Sequence, residues 1–481
     1  MKGLFLYDAF IITGERKAKG ALSVEGEIID GIWFCGDGDT ILFDGKTMEY
    51  ASFIEAYKQK FGQKEAFDLH GDILIAGGID THVHFREPGM SYKADIASES
   101  KAALLGGTTS FVDMPNTLPP TLTPEALKEK LDIASQSSLI NYGFNIGASN
   151  DNYEIIKSMS SSMAREFGGI KIFMGSSTGN MLVDEDSTLR QLFGILDKPV
   201  LIHSEDENII RENLQKAKKK YGDDIPFYEH SLIRSREACI KSTQKALEMA
   251  VEYGTRLHVL HISTAEEVRL IREAKNANPG ITAETSINYL RFCDKDYEKK
   301  GYLIKCNPSI KTEKDREALI EGLCNGVIDT IGSDHAPHLL FEKQKKYPYS
   351  PSGIPSIQQT ISVIFALARK YSIPLTRIVS SISERPADIF GIKARGYLKK
   401  GYFADMTIIR PDTDFIVGGN EKLSGSEGIS YKCGWTPYEG EKLSDAIKAV
   451  FVNGRQSTET ATLLSETSYG KKLVFSNSKP D

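Results

Sequence analysis

The chain is short of the features that would commit it to a specialised class. Its 481 residues include six cysteines, at positions 35, 239, 293, 306, 324 and 433, and no two of them form a CxxC pair. That is too few for a disulfide scaffold and fits reduced, mostly buried thiols of a cytoplasmic protein. No window reaches the roughly 18 apolar residues a membrane span needs. The start, Met1-Lys2-Gly3-Leu4-Phe5-Leu6-Tyr7-Asp8, is interrupted by an acid and makes a poor signal peptide. A cationic surplus is missing too: 59 Lys and Arg stand against 65 Asp and Glu, a net charge of −6. That removes the main drive for sequence-independent nucleic-acid binding. There is no internal repeat and no low-complexity segment. With 40% hydrophobic and 26% charged residues, the composition also excludes disordered, collagen-like and coiled-coil chains.

What the sequence does have is alternation. The first 70 residues read as β-rich, with strands over 5–13, 21–27 and 28–34 and one helical segment over 45–66. A second β-rich stretch, from Gly401 to the Asn453-Gly454 turn signal, lies near the other end. Between them come eight short apolar runs, over 73–85, 108–114, 141–147, 170–174, 200–203, 257–262, 281–284 and 327–333. Amphipathic stretches such as 123–137, 237–253 and 265–276 separate them, and 356–370 and 374–390 read as terminal helices. Strand–helix alternation implies parallel strands, and eight units imply a closed α/β barrel. The Ser/Thr-rich tail after Ser457 reads as a loosely packed arm.

Histidine is scarce, nine residues in all, so its positions carry information. His82 and His84 end the first barrel strand, and side chains at i and i+2 of a strand point to the same side. Two imidazoles aimed together into a barrel mouth suit a divalent metal; the plainer alternative is a chance pair with one ring hydrogen-bonded and one exposed. Further ligand types recur at later strand ends: His203 after the fifth, His261 after the sixth, Asp334 after the eighth. Barrel enzymes place their chemistry at this rim. Lys171 lies inside the fourth strand. As an ammonium it is electrostatically wrong beside metal histidines. As a neutral amine it can add carbon dioxide, giving an anionic carbamate able to bridge two metals. The alternative is an ion pair with Asp113. His70, His230, His258 and His335 read as structural or surface residues. Strand parity turns His258 to the helix layer, and His335 is near enough to support a metal ligand from behind.

The segment Gly77-Gly78-Ile79-Asp80-Thr81-His82-Val83-His84-Phe85-Arg86-Glu87-Pro88-Gly89 resembles the signature of dihydroorotases, in the cyclic-amidohydrolase branch of the amidohydrolase superfamily. Asp113-Met114-Pro115-Asn116-Thr117, Asn307-Pro308, Ser333-Asp334-His335-Ala336-Pro337-His338 and the stretch Gly434–Gly440 match as well, so the resemblance spans about residues 1–455. It implies a (β/α)8 barrel over 71–395, a small β-sandwich domain from 1–70 and 396–458, and an arm over 459–481. It implies two zinc ions, one held by His82, His84 and Asp334, the other by His203 and His261. Gly169-Ile170-Lys171-Ile172-Phe173 resembles the variant whose bridge is a carbamylated lysine. The implied reaction is the reversible closure of N-carbamoyl-L-aspartate to dihydroorotate, in de novo pyrimidine biosynthesis, by a hydroxide shared between the metals, with Asp334 moving the proton. The family also suggests a homodimer.

By the same resemblance Arg86, Asn116 and His338 grip the substrate carboxylate, Asn307 contacts the ring, and Pro351–Pro355 offers it backbone groups. A guanidinium suits a carboxylate; an ion pair of Arg86 with Glu87 or Glu99 is the alternative. Allantoinases and dihydropyrimidinases resemble this scaffold but lack the arginine. The loop 175–180, with Ser177 and Thr178, reads equally as a lid or an ordinary connection. One stretch departs from the pattern. Dihydroorotases usually carry paired histidines where Asn288 and Tyr289 stand, and Glu284-Thr285 with Tyr289-Leu290 resembles the dihydropyrimidinase and allantoinase version. Another cyclic-ureide hydrolase is therefore one alternative, and a non-catalytic dihydroorotase-like partner subunit another. Loss of metal ligands would mark the latter, and here every ligand position is filled.

Overall fold

The structure is a computed structural model that describes residues 3–175, 181–419, 428–459, 462–465 and 467–476. Its centre is a ring of eight parallel strands: β1 (Gly78–Val83), β2 (Thr108–Asp113), β3 (Asn141–Phe144, resumed at Ile146–Gly147), β4 (Ile170–Phe173), β5 (Val200–His203), β6 (Leu257–Val259), β7 (Thr282–Ser286) and β8 (Thr330–Gly332). They hydrogen-bond in chain order. The ring closes where Val83 bridges His335 and the His84 N–H donates to the His335 carbonyl. Nearly every strand residue is buried, because one face fills the barrel and the other meets helices. That is why the strands read as unbroken apolar runs rather than alternating ones.

Helices start where caps are written into the loops that follow the strands. Thr123 accepts from the Ala126 N–H, with Pro124 in the first turn. Thr264 and Glu267 form a reciprocal capping box on Ala265–Ala277. Among the described residues no helix is long and apolar enough to cross a membrane.

Both chain ends build a second sheet of nine strands. Its order runs Thr462–Leu463, Arg455–Glu459, Ala446–Val452, Met406–Arg410, Ile73–Ala76, Leu4–Ile12, Lys17–Glu25, Ile28–Phe34, with Glu65–Asp68 also pairing to Leu4–Ile12. Bulges at Leu6/Ala9, Ser23/Val24 and Ile408/Ile409 bend it. Leu6, Leu22, Leu74, Met406 and Phe451 share the core it encloses.

Four expectations change. The run over 73–85 is two strands, since Ile73–Ala76 pairs antiparallel with Met406–Arg410 and only Gly78–Val83 joins the barrel. The segment 45–66 is not one helix: Lys46–Glu49 closes a hairpin with Thr40–Phe43, and the helix is Tyr50–Lys60. His258 points into the barrel, not at the helix layer. Its Nδ1 lies 2.8 Å from the Thr282 hydroxyl, and its ring faces Phe390. Parity counted back from His261 fails because β6 ends at Val259 and His261 sits at φ +37°. Finally, part of the tail is seated in the core. Leu473 and Phe475 are fully buried in one cluster with Ile79, Val112, Leu201 and Phe390, and the Leu473 N–H donates to the Tyr142 carbonyl. Two aromatic or aliphatic anchors suffice to seat an otherwise polar segment, and periodicity cannot register so short a signal.

Phe475→Ala should therefore destabilise the protein by about 3–5 kcal/mol, the range for emptying a buried aromatic site. Chemical denaturation measures it, and a loss below about 1 kcal/mol would show the tail to be a peripheral attachment.

Candidate metal and substrate site

A cavity of about 280 Å³ opens at the carboxyl ends of the strands, and every candidate metal ligand and all four candidate substrate residues line it. Ser177 and Thr178 lie outside the described residues.

The alternation of β1 delivers His82 and His84 to one side. Their Nε2 atoms lie 3.3 and 3.4 Å from the same oxygen of Asp334, and one ligand atom from each of the three falls within a 4.8 Å cluster. The opposite ring nitrogens fix the tautomers. His82 Nδ1 is 2.6 Å from the Glu284 carboxylate and His84 Nδ1 is 2.7 Å from Asn116 Oδ1, so both N–H groups point away and both Nε2 lone pairs face Asp334. Burial alone would raise the Glu284 pKa, but His82 and His258 outweigh it and hold it down at about 2. Asp334 is likewise kept below the ordinary carboxylate range, against its own burial, by His82, His84 and His261. Burial lowers His84 to about 4, with Asp334 opposing and Arg86 assisting, so it is neutral at neutral pH.

Asp334 itself stands at φ +47°, just past β8. The preceding residue is pinned: the Ser333 N–H donates to Asp80, and its carbonyl accepts from Ser286, Ser356 and Asn288. The departure at Asn288 and Tyr289 is thereby explained as scaffolding. Asn288 also accepts from the Tyr438 hydroxyl, and the Tyr289 hydroxyl donates to the Pro308 carbonyl.

A second pair faces the first across the mouth. His203 Nε2 donates to Glu205, which is ion-paired with Arg234, and this leaves His203 Nδ1 bare, 3.0 Å from His261 Nε2. Burial keeps both rings below the ordinary histidine pKa. His261 Nδ1 is buried with no partner among the described residues. At that distance a His261 Nε2–H can donate to the bare Nδ1, or, with the His261 proton on Nδ1, both lone pairs can face one cation; the donor set therefore fits a metal. Two histidines alone leave that position short of protein ligands.

Lys171 adjoins both pairs. It is 1% exposed, its ammonium makes no ion pair among the described residues, and it lies 4.5 Å over the Phe173 ring. The alternative partner, Asp113, is taken by Lys130 and by the Phe85 N–H. Burial lowers Lys171 to about 7, so the nucleophilic amine is well populated near neutrality.

On the substrate side Arg86 is buried, with no ion pair among the described residues. Its Nε donates to the Pro337 carbonyl, and its terminal nitrogen lies 3.1 Å from His338 Nε2. Glu87 is used by the Ile96 N–H and Glu99 by His335, so neither neutralises it. Asn307 leaves a buried carbonyl oxygen with no partner among the described residues. Sequence reasoning missed Lys93 and the Glu205–Arg234 pair: they act through other side chains, and nothing in local spacing marks them. His335 is buried behind the ligands, and His230 is structural, bonded to Tyr347 and the Cys306 carbonyl.

Comparison with known proteins bears on the family and the fold. A model of the amidohydrolase family matches residues 73–456. The chain is 34% identical over 394 residues to a dihydroorotase of Methanosarcina mazei, covering 80% of this chain and 82% of that one. It is 32% identical over 398 residues to an allantoinase of Bacillus velezensis, covering 82% and 85%. Among solved structures it resembles the L-hydantoinase (dihydropyrimidinase) of Arthrobacter aurescens, with a TM-score of 0.85 at 23% identity over 98% of this chain and 100% of that one, a likeness of fold.

Because Glu284 holds the His82 tautomer, Glu284→Leu should weaken metal retention by about 10–100-fold, the usual effect of losing a partner behind a ligand. Competition with a chelator measures this; unchanged retention would mean that His82 is oriented by packing alone.

Proposed function

The chain belongs to the amidohydrolase family, and from that premise we propose that it is a cytoplasmic dihydroorotase, acting as a homodimer, that interconverts N-carbamoyl-L-aspartate and dihydroorotate. The observation that carries this reading is Arg86. A buried guanidinium with no carboxylate partner among the described residues, beside His338 and at the edge of the histidine cluster, asks for an anionic substrate group. Dihydroorotate carries a carboxylate on its ring, across from the scissile amide; the rings of dihydrouracil and allantoin carry none.

In this reading two zinc ions bind, His82, His84 and Asp334 holding one and His203 and His261 the other. Lys171, carbamylated, completes the set. Its neutral Nζ adds to carbon dioxide and releases one proton, and the resulting anion supplies the ligand that the second pair of histidines lacks. When bound, the metals polarise the ring carbonyl and acidify water. The protein's own part is orientation and proton transfer. Arg86, His338 and Asn116 hold the carboxylate, Asn307 accepts from a ring N–H, and Asp334, ionised at working pH, takes the proton of the attacking water and returns it to the departing ring nitrogen. Ring closure runs the same steps backwards. The allantoinase relative and the Glu284–Leu290 stretch favour, as a second reading, another cyclic ureide as substrate.

Wild type should hydrolyse dihydroorotate and leave dihydrouracil and allantoin nearly untouched. Arg86→Ala should lose about 10²-fold or more in kcat/KM for dihydroorotate with metal content intact. Faster turnover of either uncharged ring would promote the second reading.

Elemental analysis should find about two divalent ions per chain, and Lys171→Ala should retain about one. Short carboxylic acids should restore part of the lost metal and activity. An active wild-type enzyme with an unmodified Lys171 ammonium would refute the bridge.

A further inference from the structure

Lys93 has no role in the reaction as derived, yet it is only 6% exposed and its Nζ lies 3.2 Å from His338 Nδ1. It pairs with no carboxylate within ion-pair distance among the described residues. The other side of the same imidazole is crowded: His338 Nε2 is 3.2 Å from the Ser352 carbonyl and 3.1 Å from the Arg86 terminal nitrogen. The remaining neighbour of Nδ1 is Glu342, 3.7 Å away and occupied by the Leu339 N–H and the Tyr92 hydroxyl.

Two cations compete for the ring: the Arg86 guanidinium, donor-only like the Lys93 ammonium, calls for a lone pair on Nε2, while the Ser352 carbonyl, which can only accept, calls for a proton there and sides with Lys93. An ammonium can only donate, so Lys93 requires the lone pair of His338 to be on Nδ1, and the ring proton to be on Nε2. That proton suits the Ser352 carbonyl. It also places an N–H face to face with an Arg86 N–H, and two donors 3.1 Å apart cannot bond each other. A shared acceptor satisfies both, and the cavity lies in front of them. The reverse tautomer would turn the Nδ1 proton towards Glu342, put the Nε2 lone pair on the Arg86 N–H, and so spend the guanidinium internally.

We infer that Lys93 is a positioning residue that fixes His338 as the Nε2–H tautomer, so that His338 and Arg86 converge as paired donors on one carboxylate oxygen of the substrate. The inference deepens the dihydroorotase reading and rests on it for the identity of the carboxylate, but the tautomer is measurable without turnover. Specificity for an anionic ring then depends on a residue that never touches it.

The test uses zinc-loaded, full-length protein with ¹⁵N-labelled histidine, His338 being assigned by its loss in His338→Gln. Wild type should show His338 protonated at Nε2, Lys93→Met should show it protonated at Nδ1, and Glu342→Gln should leave it at Nε2. In parallel, Lys93→Met should raise KM for dihydroorotate about tenfold or more while kcat stays within about threefold, and Lys93→Arg, which keeps a cationic donor, should restore most of the loss. A wild-type His338 protonated at Nδ1 overturns the inference even if no variant folds. So does an Nε2–H tautomer that persists in Lys93→Met, or an unchanged KM. If the tautomer switches as expected but wild type ignores dihydroorotate, the inference about Lys93 stands and the substrate reading falls.

Discussion

Four imidazoles, an amine and a carboxylate are withdrawn from water within a few ångströms of one another at the mouth of this barrel. Desolvation disfavours every charged group so placed, and the surrounding structure is organised around offsetting it. Glu284 answers His82, Asn116 answers His84, and Glu205 with Arg234 answers His203. Each partner removes one ring N–H from the cavity and leaves one lone pair facing inward. The result is a set of donors poised for cations and held by bonds that run away from the site, which is also why the site's precision resides in residues that do not line up in the sequence.

The barrel was legible in the sequence because its physical signal is local. A parallel strand buried on both faces is a short apolar run wherever it occurs, and all eight runs hold strands. His82, His84 and Asp334 were legible because alternation and rim position are geometric consequences of a strand ending. Where local rules stop, so did the reading. His258 was assigned the wrong face because the chain leaves β-geometry before His261. Leu473 and Phe475 were too sparse to mark a packed segment. Lys93 was invisible because its meaning comes from His338, 245 residues away along the chain.

The Asn288–Tyr289 departure illustrates how a mismatch at a motif need not be a mismatch in chemistry. Both side chains are spent on backbone carbonyls and on Tyr438, bracing the residues before Asp334 and after Asn307. What they hold is the backbone on either side of the cavity, whereas Arg86 is held separately, by the Pro337 carbonyl and beside His338.

The nine-stranded sheet carries a consequence for biogenesis. Its central strand Ile73–Ala76 lies between Leu4–Ile12 and Met406–Arg410, and the barrel core includes Phe475. Neither half of the molecule can be completed during synthesis until segments some hundreds of residues downstream have emerged. Domains that fold in order as they leave the ribosome avoid long exposure of unpaired strand edges. Here Ile73–Ala76 can pair early with Leu4–Ile12 but has its other edge unpaired until Met406–Arg410 arrives. During synthesis that open edge is the place where the unfinished chain is exposed to wrong pairing, a hazard the finished sheet no longer shows at that strand.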